Sequence, residues 1–256
     1  MAGPPHGGPG EGEVRLKDLR RDLAAATRML VDAGILGYSG HLSALIGDGQ
    51  TLLIQPVDDP RAELRPDRML VVTLDGDVTE GDGKPPAELA IHTEIYRARP
   101  DVGAVAHFHH DPTTVFTVAG DHRVVPVKNH ASRWSAGVPV HPDPSHIATA
   151  EQGRALAATL GSCHAALLRA HGQVVVAEDI RTLFADVVHF VENAVLLAAA
   201  LPLGPVKPLT EAECASFAAT FRRDRHARKL WTYYTTVAAA AGRLPAAWWG
   251  TQVTDV

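Results

Sequence analysis

Over residues 14–33 the apolar positions Leu16, Leu19, Leu23, Ala26 and Leu30 recur every three or four residues among charged neighbours, which predicts an amphipathic helix. Gly34 and Gly37 end it. The period then shortens. Residues 40–56 open on a glycine turn and predict two short strands, 42–46 and 51–54, on either side of Gly47-Asp48-Gly49. A further strand is predicted over residues 70–74, with Asp75-Gly76 as a hairpin signal leading into Val78. Pro85 and Pro86 open a helix over residues 87–98, because proline is tolerated in a first helical turn. Beyond it the pattern predicts a strand at 102–107, a short helix at 112–118, and a strand at 124–127. A helix at 148–160 follows, closed by Gly161, then strands at 165–168 and 173–177. Two long helices, 180–201 and 211–240, complete the chain. The sum is an α/β layered domain around a central mixed sheet, without an internal repeat.

Composition narrows the class. A chain of 256 residues, 46% hydrophobic and 21% charged, suits a globular domain that buries a full core. We expect residues 14–240 to form that domain, with a Gly/Pro-rich disordered tail at 1–13 and a C-terminal tail at 241–256. The N-terminal stretch lacks the apolar core of a secretory signal. A net charge of −5 gives no basic footprint for nucleic acid or an anionic membrane. We expect no apolar run to reach the ~20 residues that span a bilayer. Cys163 and Cys214 lie far apart and form no CxxC pair, so a disulfide framework is not expected and a reducing cytoplasm fits. The expected partner is a small molecule.

Fourteen histidines bring in the chemistry. In Val105-Ala106-His107-Phe108-His109-His110, alternate residues of a strand point to one face, so His107 and His109 can offer two imidazoles to one ion. His171 precedes a glycine at the end of an apolar strand, where a turn exposes the side chain at the sheet edge. Glu88 begins a helix just after two prolines. A third imidazole and a carboxylate would complete a divalent metal site with an open position for chemistry. By spacing alone, His107 and His109 fit a ligand pair or two unrelated histidines, and Glu88 and His92, four apart, fit a solvated polar helix face.

Longer strings carry a resemblance. Residues 86–109, from Pro86-Ala87-Glu88-Leu89-Ala90-Ile91-His92 to Val105-Ala106-His107-Phe108-His109, resemble the central block of the class II aldolase/adducin family. Gly37-Tyr38-Ser39-Gly40-His41-Leu42-Ser43, Leu52-Leu53-Ile54-Gln55-Pro56 and Leu167-Leu168-Arg169-Ala170-His171-Gly172 match it in order, so the resemblance covers about residues 15–200. It implies a three-layer α/β/α domain with a mixed, mainly antiparallel sheet, and one divalent ion (Zn, Mn, Co or Fe) per subunit. His107, His109 and His171 would hold the ion. Glu88 would ligate the resting metal and serve as acid/base. The family also implies a homotetramer with sites between subunits.

The mismatches shape the expected substrate. Sugar-phosphate aldolases of the family hold the phosphate with an Asn after the first glycine turn, a Thr-Gly pair after the Leu-Ile strand and a Ser-Ser pair before the acidic residue. This chain has His41, Val57-Asp58 and Pro86-Ala87 there, and Asp58 would repel a phosphate. We therefore expect a metal-dependent carbon–carbon lyase on a non-phosphorylated, carboxylated substrate, with decarboxylation of a dihydroxyphthalate-type aromatic acid, as in aromatic catabolism, foremost. His41, as catalytic or binding group, together with His110, Lys128 and Arg133, would contact the substrate, Arg133 by a bidentate fork. An aldolase of a non-phosphorylated hydroxy-carbonyl, a non-heme Fe(II) oxygenase and a non-catalytic adducin-like domain remain as alternatives.

Overall fold

A computed structural model describes residues 9–47 and 49–248 of the chain; residues 1–8 of the expected N-terminal tail and 249–256 of the expected C-terminal tail lie outside them. The first helix, α1 (Pro9–Asp32), starts within the stretch expected as tail. Eight strands form one sheet: β1 (His41–Leu45), β2 (Thr51–Ile54), β3 (Leu70–Thr73), β4 (Val78–Glu80), β5 (Ala104–Phe108), β6 (Val140–His141), β7 (Ala165–Leu168) and β8 (Gly172–Ala177). Their order is β4-β3-β2-β1-β5-β8-β7-β6. Every neighbouring pair is antiparallel except β6 with β7, so the sheet is mixed and mainly antiparallel.

Two helical layers cover it, and strand alternation sorts the side chains between them. Leu42, Ala104, Ala106, Phe108, Val175 and Ala177 face α1 and α5 (Ile180–Ala200). Val105, Val174, Val176 and Leu168 face α2 (Leu89–Ala98) and α4 (Ala150–Leu160). Asp179 caps α5 by accepting the N–H groups of Arg181 and Thr182, both at 2.9 Å. Extended to Leu203, α5 has a mean hydropathy of 1.6 and is long and apolar enough to cross a membrane, contrary to the expectation of no such run. Leu183, Phe184, Val187, Phe190 and Leu197 are instead buried in the core of the domain.

Two predicted elements differ. The expected strand at 124–127 has no ladder partner, because a side chain supplies its hydrogen bonds. Asn193 of α5 accepts the N–H groups of Val127 (2.9 Å) and Lys128 (3.2 Å) and donates to Val125 O (2.9 Å). The expected helix over 211–240 is two, α6 (Glu211–Thr220) and α7 (Arg223–Ala240). Phe221 leaves the helical conformation (φ −76°, ψ 117°). Its ring stacks on Phe217 at 4.7 Å, and Arg223 opens α7 paired with Glu178 and Asp186. A short helix, α3 (Asp111–Thr114), lies where 112–118 was predicted.

Candidate metal centre

The sheet brings the predicted ligands together at one end. β1 pairs with β5 so that His41 lies opposite His107, and β5 pairs with β8 so that His107 lies opposite Val174. His107 points to the α2/α4 layer, as Val105 does. His109 follows just past the end of β5. His171 sits in the tight turn between β7 and β8, aimed by Ala170, the one non-glycine residue with positive φ (52°) among those described. That left-handed conformation costs about 1–2 kcal/mol, a strain held at the residue that delivers His171. Gly172 permits close approach of the strands: a Cβ there would lie 2.6 Å from Phe108 O and 2.7 Å from His109 Cδ2.

Glu88 occupies the N-cap position of α2 but does not cap it. Its carboxylate accepts the Ile147 N–H at 2.9 Å and faces His107 Nε2 at 3.3 Å and His171 Nε2 at 3.5 Å. His107 Nε2 and His109 Nε2 are 3.0 Å apart. One ligand atom from each of Glu88, His107, His109 and His171 lies within 4.8 Å of the others.

Do these four residues fit a metal? His107 Nδ1 is 3.1 Å from Gln173 O, a contact that places its proton there and leaves the Nε2 lone pair turned inward. Both ring nitrogens of His171 are buried without a hydrogen-bond partner, a costly arrangement unless a cation takes one lone pair. Burial, then the neighbouring His107 and His171, push the His109 imidazole down to about 4, so it is neutral near pH 7, as a ligand must be. Burial alone would raise Glu88, but the adjacent His107 and His171 rings and the Ile147 amide outweigh it and hold the carboxyl below the usual range. Three imidazoles and one carboxylate form the donor set of a borderline divalent ion with coordination positions to spare. The residues fit.

Behind the centre runs a chain that the sequence reading missed. His41 Nδ1 is 2.6 Å from His92 Nε2, His92 Nδ1 is 2.6 Å from Ser43 Oγ, and Ser43 Oγ is 2.7 Å from the Tyr96 hydroxyl. All four are buried, and His92 is fully so, not on the solvated face its spacing suggested. Burial pushes His92 down to about 3 and also lowers His41, while it raises Tyr96, so the chain is neutral. The signal was available. Glu88, His92 and Tyr96 recur at four-residue spacing on α2, opposite His41 and Ser43 on one face of β1. His146, also missed, stacks on His171 at 5.6 Å. Arg61 is a third omission. It is buried, and its guanidinium donates to Gly40 O (3.1 Å) and to the carbonyls of Pro56, Val57 and Asp59, tying the loop before β1 to the loop after β2.

The structure thus brings Glu88, His107, His109 and His171 together with His41 beside them, the His41 and His107 rings 5.2 Å apart. The other expected substrate contacts are engaged locally. His110 Nδ1 is 2.9 Å from Thr113 Oγ1. Lys128 pairs with Glu192, and Arg133 with Glu178 at 3.0 Å and Asp186 at 3.4 Å.

Fold and site together describe a candidate metal centre at the end of a mostly antiparallel sheet. The model of the class II aldolase and adducin N-terminal domain matches residues 21–198, and the chain belongs to that family. A 5-methylthioribulose-1-phosphate/5-deoxyribulose-1-phosphate aldolase of Rhodospirillum rubrum is 34% identical over 165 residues, 64% of this chain and 72% of that protein. The structure of an L-fuculose 1-phosphate aldolase from Glaciozyma antarctica PI12 superposes with a TM-score of 0.78 at 20% identity, covering 94% of this chain and 95% of that one, a likeness of fold. YgbL of Escherichia coli gives 0.70 at 27% identity, over 79% of this chain and 99% of that one.

These relatives correct the expected function. The R. rubrum protein is named as an aldolase of phosphorylated ketoses, which overturns the expectation of an aromatic-acid decarboxylase and conflicts in part with the alternative of an aldolase on a non-phosphorylated substrate. The physical reason is that absent hydroxyls at three positions do not read out a substrate. Backbone N–H groups and basic side chains from elsewhere bind phosphate as well.

Proposed function

We propose that the protein is a metal-dependent aldehyde-lyase that cleaves a short-chain ketose 1-phosphate, of the 5-deoxyribulose 1-phosphate kind, by a retro-aldol reaction. The observation that carries the reading is the convergence of Glu88, His107, His109 and His171, with both buried ring nitrogens of half-buried His171 lacking a hydrogen-bond partner. Those four residues would hold the ion, zinc by preference for a donor set of three nitrogens and one oxygen. When bound, it supplies Lewis acidity toward the substrate's carbonyl and hydroxyl oxygens.

In the cleavage the bond between C3 and C4 breaks, the C4 hydroxyl gives up its proton, an aldehyde leaves, and C3 takes a proton. The Glu88 carboxylate is anionic and positioned to accept or return a proton. His41 is the residue we assign to substrate contact. Its Nδ1 is tied to His92, so its Nε2 is the nitrogen left for substrate, and a shift of protons along His41, His92, Ser43 and Tyr96 switches it between donor and acceptor. We further place the enzyme in the cytoplasm, where the free thiols of Cys163 and Cys214 persist, and assign it the homotetramer of its family.

The test is cleavage of 5-deoxyribulose 1-phosphate by metal-replete protein, following dihydroxyacetone phosphate and acetaldehyde. Turnover is expected, and its loss with bound metal in His107→Ala and His109→Ala. Protein carrying a full equivalent of metal that cleaves no short ketose 1-phosphate would overturn the reading.

A further inference from the structure

A second histidine cluster lies in the other helical layer. His130 comes from the 3₁₀ turn Asn129–Trp134, His189 from α5 and His226 from α7. One ring nitrogen of each lies within 4.8 Å of the other two. His189 Nε2 and His226 Nε2 are 2.9 Å apart. The His130 ring stacks on His189 at 4.3 Å and on His226 at 4.6 Å, with Phe217 and Phe221 packed edge-on against it at 5.6 and 5.1 Å. A cavity of about 280 Å³ opens beside the three rings.

Nothing in the aldolase reading uses these groups. Three imidazoles in contact repel one another when protonated, and burial lowers all three, so each is neutral near pH 7 and carries one lone pair. His189 Nδ1 is buried without a hydrogen bond, 3.5 Å from Glu192 Oε2. Glu192, itself paired with Lys128, thus favours the proton on Nδ1 and turns the Nε2 lone pair toward His226. A carboxylate behind one imidazole, with one ring nitrogen from each of the three histidines gathered in front, is the arrangement of a carboxylate–histidine–metal site.

We propose that His130, His189 and His226 form a second metal site, separate from the Glu88 centre, that takes a borderline divalent transition ion of the zinc, copper or nickel class. Imidazole nitrogen suits these ions, whereas magnesium and calcium prefer oxygen. Ligand nitrogens 2.0–2.1 Å from a zinc ion require the His130 ring to swing off its stack, and the cavity leaves room for that swing and for an exogenous fourth ligand. The bound ion clasps α7 and the 3₁₀ turn onto α5, just beyond the break at Phe221.

The proposal stands independently of the substrate. Full-length protein is stripped with chelator, re-equilibrated with excess Zn²⁺ or Co²⁺, and its bound metal counted by elemental analysis, with Co²⁺ visible absorption as a second readout. Wild type is expected to take two equivalents. His107→Ala with His109→Ala removes one, and His226→Gln removes the other while aldol cleavage persists. Should His226→Gln fail to fold, His130→Ala on the 3₁₀ turn reads the same equivalent. Glu192→Gln is expected to weaken the second site about 10–100-fold without touching the first. One equivalent in wild type at saturating metal, or a second equivalent that survives both His226→Gln and His130→Ala, would overturn it.

Discussion

Gly172→Ala tests whether the metal centre depends on the close approach of β5 and β8. The added methyl would stand 2.6 Å from a backbone oxygen, Phe108 O, and 2.7 Å from His109 Cδ2. Neither neighbour is the free end of a flexible chain, so relief to an ordinary contact near 3.4 Å requires a displacement of roughly 0.7 Å, shared between strand and ring. Overpacking of this size costs about 1–3 kcal/mol of stability. The consequence for the site is sharper. Cδ2 adjoins the Nε2 that faces His107 at 3.0 Å, and metal–ligand distances tolerate only about ±0.2 Å. Misplacing one ligand by most of an ångström should weaken metal binding about 10–100-fold, and cleavage with it. The assay is a chelator-competition titration of Zn²⁺ beside urea denaturation of the same stripped protein. Metal affinity within twofold of wild type, in a variant that folds, would refute the reasoning, because the ring would then have moved without cost or not at all.

Other outcomes follow from the same geometry. His92→Ala takes the partner from His41 Nδ1 and leaves Ser43 only Tyr96, so the stranded imidazole and the cavity together should cost about 3–6 kcal/mol by urea melting and reduce kcat more than KM; His92→Gln should recover part of both. Acid should destabilise the stripped protein well before the carboxylates titrate. His92 is pushed down to about 3 in the folded state against about 6.5 unfolded. The folded chain therefore binds fewer protons, and stability that is complete above pH 6.5 falls by about 1.4 kcal/mol per unit for this buried group as pH drops toward 3, with a smaller share from half-buried His164. A flat urea midpoint between pH 6.5 and 4.5 would contradict it. Asn193→Ala should cost about 2–4 kcal/mol, because two amides and a carbonyl of residues 125–128 lose their partner, while Asn193→Asp should keep the two accepted bonds and cost less in the same melt.

What the sequence made legible was periodic. Strand alternation put His107 and His109 on one face, and the proline pair before Glu88 placed the head of α2, so the ligand set could be assembled from matched blocks. What it concealed was set by tertiary exchange of hydrogen bonds. Residues 124–127 carry a strand's composition, yet their amides are met by Asn193, a side chain 66 residues away from Val127. Residues 211–240 read as one helix because the break at Phe221 is made by ring packing against Phe217 and His130, which no local propensity encodes. His130, His189 and His226 are scattered through the chain, and only the packing of α7 on α5 makes them a set.

The departure at position 41 is best understood with α2 rather than by itself. An imidazole there spans the gap from β1 to His92 at 2.6 Å, and His92 in turn holds Ser43 and through it Tyr96. An asparagine at the same place, with its shorter reach, would leave the His92 Nε2 unmet in a fully buried position, a penalty of about 1–3 kcal/mol. Histidine at 41 is therefore matched to the histidine at 92, and forms one end of a buried neutral chain beside the candidate metal ligands. Because that chain carries no charge, it can give a substrate a single directional N–H or lone pair. Under the proposed ketose-phosphate reading, the charge of the phosphate is then met by groups other than His41.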